Sequence, residues 1–178
     1  MSATQTVFSL LVGLFCISSA AQAVQRDLRI PEIKTMVNDV DFHLKRLNRS
    51  RVMLQTGTDR GGELTVYRRG SDVVRVDATI GGSNSDLQEV FYYVGAKVVF
   101  VRTKTVTYPY SASANGFDFA NPHVKATADY YVRDGKLIPV GHAKIALSVA
   151  ARLLQEAELF VIAIRRGDHV VHVERVLK

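Results

Sequence analysis

Four times along this chain an apolar run, a short polar link containing glycine and a second apolar run follow one another. The stretches are ELTVYRRGSDVVRV from Glu63, VFYYVGAKVVFV from Val90, DYYVRDGKLIPV from Asp129 and FVIAIRRGDHVVHV from Phe160. Two β-rich runs around such a link predict a β-hairpin. Gly70, Gly95, Gly135 and Gly167 fall at the links, where a backbone with φ > 0 is needed and glycine takes it without steric cost. Val, Ile, Tyr, Phe and Thr fit a pleated, half-buried surface. The repeat spacing is irregular, which predicts a meander of hairpins and not a solenoid.

The alternation assigns faces. Val74, Val76, Ala78 and Ile80 share one side, and Arg75, Asp77 and Thr79 the other. Ala126, Ala128, Tyr130 and Val132 alternate with Thr127, Asp129, Tyr131 and Arg133. Before the strands, IPEIKTMVNDVDFHLKRL reads as an amphipathic helix, with Ile33, Met36, Val37, Val40, Leu44 and Leu47 on one stripe. GHAKIALSVAARLLQEAEL reads as a second, well-covered helix, with FVIAI and HVVHVERVL as a closing hairpin. PYSASANGFDFANP, residues 109–122, reads as a long loop of the kind that often carries function. The fold class expected is therefore α+β, an antiparallel β-meander sheet with helices packed on one face. The other face is expected to stand in water, as antiparallel sheets allow.

The first residues stand apart. VFSLLVGLFCISSAAQA joins an apolar stretch to small residues at Ala21 and Ala23, the pattern of a signal peptide cleaved after residue 23. Residues 24–178 then form a single domain, large enough to bury about 70% of its unfolded surface. This organisation predicts a soluble periplasmic or secreted protein. Cys16, the only cysteine, falls in the leader, so the domain has neither a disulfide nor thiolate chemistry. No charged side chain occurs in residues 1–23, so the formal net charge of +6 belongs to the domain and favours anionic partners. Export argues against nucleic acid as the partner.

Catalytic patterns are absent from the sequence. No Gly-x-Ser-x-Gly elbow, phosphate loop, His-Glu-x-x-His or paired-cysteine motif occurs. Asp168, His172 and Glu174 share a parity, but read as the alternating charge of a solvated edge strand. No cofactor and no metal are expected, and an enzyme is the less favoured class.

GGELTVY at 61–67, followed by YYVRDGKLI at 130–138, resembles uncharacterised exported bacterial proteins. These carry a leader, an amphipathic helix, a Gly-Gly-x-Leu-Thr-x-Tyr strand and later Tyr-Tyr-x-x-x-Gly-Lys-Leu-Ile elements. A fainter similarity is to membrane-occupation repeats. The resemblance implies export and a meander, and it brings no activity or catalytic residue.

The resulting expectation is a binding or inhibitor-like module that contacts an envelope protein or anionic polymer through its open sheet face. Arg75, Tyr93, Tyr131 and Arg133 are the candidate contact residues. The alternatives are an envelope-acting hydrolase with a carboxylate/histidine acid–base site and an assembly protein that pairs through an edge strand.

Overall fold

The structure, a computed structural model, describes residues 28–113, 115–141 and 144–173. The expected leader and Glu174 lie outside them. Helix α1 spans Ile30–Phe42 and a short 3-10 turn follows at Leu44–Arg46. The strands are β1 (Asn48–Thr56), β2 (Gly62–Arg69), β3 (Asp72–Gly81), β4 (Ser85–Val94) and β5 (Lys97–Thr107). A small ladder, β6 (Tyr110–Ser111) with β7 (Gly116–Phe117), interrupts the path to β8 (His123–Arg133) and β9 (Lys136–Pro139). Helix α2 (Leu147–Arg166) and β10 (Val170–Val173) complete the chain.

Eight strands form one sheet in the order β10-β1-β2-β3-β4-β5-β8-β9. Every pairing is antiparallel except β1 with β10, where Met53 faces Val170 and Leu54 faces Val171 in a parallel register. The expected α+β meander is thus present. Gly70, Gly95 and Gly135 turn its hairpins with φ of 62°, 61° and 66°.

Three expectations are corrected. FVIAI is not a strand, because residues 160–164 continue α2. Leu153, Ala157, Phe160 and Ile164 follow helical spacing into the core, and Gly167, at φ 83°, is the left-handed cap of that helix and not a hairpin turn. NRSRVMLQT is strand β1, although the expected alternation started only near Gly62. The helices do not share a face: each roofs one side of the sheet.

Helix α2 lies over the core built by Leu64, Val66, Val76, Ala78, Phe91, Tyr93, Val101 and Tyr130. Phe91 meets Phe160 edge-on at 5.5 Å, and the Tyr93 hydroxyl donates to the Ala157 carbonyl at 2.9 Å. Each such apolar side chain taken from water contributes about 1.5–3 kcal/mol. On the reverse side Ile33, Val37 and Val40 of α1 pack on Tyr92, Val99, Phe100 and Tyr131. A bulge explains why simple alternation misassigned Val74. That residue has no partner where Tyr67 pairs with Arg75 and Arg68 with Val73, and it turns to the α1 side. Val99 is likewise extra between Phe100 and Val98, and joins the α1 cluster.

Helix α1 starts with the Glu32 carboxylate accepting the Arg29 backbone N–H at 2.8 Å. Its last turns carry Asp39 and Asp41, the wrong sign for the negative end of a helix dipole. Arginines from the sheet compensate: Arg69 reaches Asp39 at 2.6 Å and Arg75 reaches Asp41 at 2.6 Å. These bonds tie the helix across the hairpin-tip end of the sheet.

Candidate functional site

Register arranges the α1 side of the sheet in rows that cross the strands. Under α1 runs Arg49–Tyr67–Arg75–Tyr92–Phe100–Tyr131, each residue paired with the next. Beside it runs Arg51–Thr65–Asp77–Val90–Arg102–Asp129. Next comes Val170–Met53–Glu63–Thr79–Gln88–Lys104–Thr127, unbroken across seven strands. At the far end runs a last row, Gly81–Asp86–Val106–Val124, with Gly81 and Val106 buried, Asp86 half-buried and Val124 exposed.

The first row is the aromatic one, and it is closed. Arg75 is wrapped by Asp77 at 2.5 Å, Asp41 at 2.6 Å and the Tyr92 hydroxyl at 3.2 Å. The Tyr92 hydroxyl donates to Asp41 at 2.7 Å. Burial pushes the Tyr92 phenol well above its ordinary range, against the pull of Arg75. Burial also opposes the charge on Arg75, but the hydrogen bond and charge of Asp77, with Asp41, outweigh it and raise the group. In the next row Asp129 binds Arg102 through two bonds, of 2.9 and 3.1 Å, and holds that guanidinium above its ordinary value.

The opposite wall rises from the turns. Arg60 bonds the Gly82 carbonyl at 2.7 Å and pairs with Asp86. Its guanidinium lies 4.5 Å from the Phe119 ring centre and 5.4 Å from that of Tyr108. The Tyr108 hydroxyl donates to Asp86 at 2.5 Å, which raises its pKa, and its ring meets Phe119 at 4.8 Å. Gly81 is required beneath this wall, since a Cβ there would stand 2.7 Å from the Arg60 Cβ.

Between the walls lies a trough. On β4 the Tyr92 and Asp86 rows are six residues apart, about 20 Å. Across the strands the trough runs from Val170 to Thr127, about 29 Å at the usual strand spacing. Glu63, Thr79, Thr127 and Met53 are exposed on its floor, Met53 by 63%, while Gln88 and Lys104 are half-buried. Along the floor and its α1 border the cations Arg51, Arg75, Arg102 and Lys104 are equalled in number by Asp41, Glu63, Asp77 and Asp129, so these charges sum to zero. Hydroxyl, amide and charged groups along one line can hold a polar ligand lying across the sheet.

The four candidate contact residues do not meet on this surface. Tyr93 faces the other way, fully covered by α2. Tyr131 is buried under α1, and Arg75 is enclosed in the carboxylate network. Arg133 is exposed at the β8–β9 hairpin, 3.8 Å from Asp134. The residues that do line the trough were missed, apart from Thr79 and Thr127, whose faces the alternation had assigned. Alternation gave no signal for the rest: Gln88 stands between Leu87 and Glu89, and Lys104 between Thr103 and Thr105.

Two other features complete the picture. On the α2 side Glu89, wholly buried, pairs with Arg152 at 2.9 Å, and Arg152 also reaches Glu156 at 2.8 Å. Burial works against the Arg152 charge, but the two carboxylates prevail and raise it. A half-open cavity of about 440 Å³ lies at the hairpin tips, lined by Leu28, Val94, Val98, Val132, Leu154 and Glu158 among others. Among the described residues no cluster of His, Cys, Asp and Glu is placed to hold a metal ion. None of their helices is long and apolar enough to cross a membrane. Comparison with protein-family models, curated proteins and solved structures finds no match.

Proposed function

We propose that this protein is an exported binding module that holds an extended envelope polymer in the trough between α1 and the Arg60–Phe119 wall. The observation that carries the reading is the unbroken row Val170–Met53–Glu63–Thr79–Gln88–Lys104–Thr127. Seven side chains stand in line across seven of the eight strands of one sheet, a span that suits an extended chain. The titratable groups along its α1 border are engaged in structural ion pairs, Arg75 with Asp41 and Asp77 and Arg102 with Asp129, which favours holding over chemistry.

The test is co-sedimentation of the purified protein with isolated envelope polymer. The double variant Thr79→Glu, Lys104→Glu makes the floor anionic without touching either core. Its binding is expected to fall at least tenfold while its circular dichroism and melting temperature stay unchanged. Arg165→Glu, on the exposed side of α2, should bind as the unsubstituted protein does. Equal binding by the double variant would remove the reading.

A further inference from the structure

Resting on that reading, we infer that the occupant of the trough is a neutral, hydroxyl-rich glycan strand, and that Phe119 is the platform on which one of its sugar rings stacks. The chemistry of the floor selects the class. Its charges cancel, so a polyanion gains nothing over a neutral chain despite the net charge of +6. Thr79 and Thr127 offer hydroxyls and Gln88 an amide, groups that both donate and accept hydrogen bonds, as sugar hydroxyls do. Lys104, half-buried, adds donors, and no carboxylate pairs with it among the described residues.

A polypeptide is the weaker match. Protein interfaces concentrate their energy in buried aromatic and arginine anchors, whereas the centre of this floor is Thr79, Gln88 and Lys104. An extended peptide would need backbone partners, and the middle of a paired sheet has none to give.

Phe119 supplies what the floor lacks. The residue is 47% exposed, with the Arg60 guanidinium over its ring and Tyr108 in T-shaped contact with it. Both supports are anchored on Asp86, two residues, about 7 Å, along β4 from Gln88. A pre-set aromatic surface beside a line of hydrogen-bonding groups suits a sugar ring, which presents C–H bonds on its face and hydroxyls at its rim.

The experiment follows backbone amide shifts of the whole protein during titration with two probes. One is a soluble hexamer of β-1,4-linked N-acetylglucosamine, and the other a reduced, alkylated, permanently unfolded protein. The inference expects the hexamer to shift Thr79, Gln88, Lys104 and Thr127 together. It expects Phe119→Ala to weaken hexamer binding about fivefold, and Thr79→Val to weaken it measurably with no change in melting temperature. Shifts in the row produced by the unfolded protein and not by the hexamer would overturn the glycan and leave the binding trough standing. Row shifts from neither probe, or hexamer binding indifferent to Phe119→Ala and Thr79→Val, would overturn the inference. The first of these, combined with unchanged co-sedimentation of the Thr79→Glu, Lys104→Glu variant, would overturn both.

Discussion

Glu89 and Arg152 meet at 2.9 Å between the sheet and α2, with the carboxylate wholly shielded from water. The pair lies on the α2 side of the sheet with a second buried carboxylate, Glu156, beside it and apolar core residues around. Removing one partner of a buried pair leaves the other charge less compensated, at a cost of up to about 3–5 kcal/mol. Arg152→Met is therefore expected to lose stability in urea unfolding. Glu89→Gln keeps size and hydrogen-bonding capacity while Arg152 retains Glu156, so it should lose markedly less. Equal losses would show that the charge itself is not what the arginine serves.

Alkali should act through two buried phenols. Burial raises both Tyr92 and Tyr93 above the ordinary tyrosine value. A raised folded value means that their contribution to stability is complete below about pH 10 and is lost as pH climbs through the folded values. Of the seven tyrosines, these two are expected to ionise only as the fold is lost. Phenolate absorbance recorded alongside circular dichroism tests this. Full phenolate signal with native dichroism would contradict it.

Acid should act at the end of α1. The Arg69 hydrogen bond holds the Asp39 carboxyl below its usual value, with His43 assisting. A depressed folded value gives stability that is present above about pH 4 and lost as pH falls through the folded value. In Arg69→Gln the Asp39 carboxyl should titrate closer to its ordinary range, as followed by its carbon resonance. An unchanged titration would mean that Arg69 is not the source.

Gly81→Ala tests the wall of the trough apart from the core. The added methyl would displace Arg60 and with it the Arg60–Asp86 pair. Faster hydrogen exchange is expected near Tyr108 and Phe119, with the Phe91–Phe160 core unaffected. Uniform destabilisation would show that the wall and core are not separable.

Much of the fold could be read before the structure was known, for reasons that differ by element. Gly70, Gly95 and Gly135 announced their hairpins because a left-handed backbone leaves little choice of residue. FVIAI misled because an unbroken apolar run carries no period, and only its continuation of the Leu153–Ala157 spacing marks it as helix. Residues 48–51 hid strand β1, since a strand exposed on one face and at its start shows few apolar positions. The bulges at Val74 and Val99 each shift parity by one, which alternation alone cannot register. The candidate site was legible as a face and not as residues. The row Tyr92, Phe100 and Tyr131 on the supposedly wet side was the sign that a helix would claim part of it. Which rows stayed open depended on where α1 and the Arg60 wall came to rest, a matter of tertiary contact.

The parallel seam between β1 and β10 sets an order of events. Every other neighbour in the sheet except β5 with β8 is joined by a short turn and can pair as soon as both halves exist. β1 must wait, one flank bare, until α2 and residues Val170–Val173 have been made. A chain clipped before Val170 would keep its meander yet present β1 as a sticky border, prone to recruit strands from other molecules.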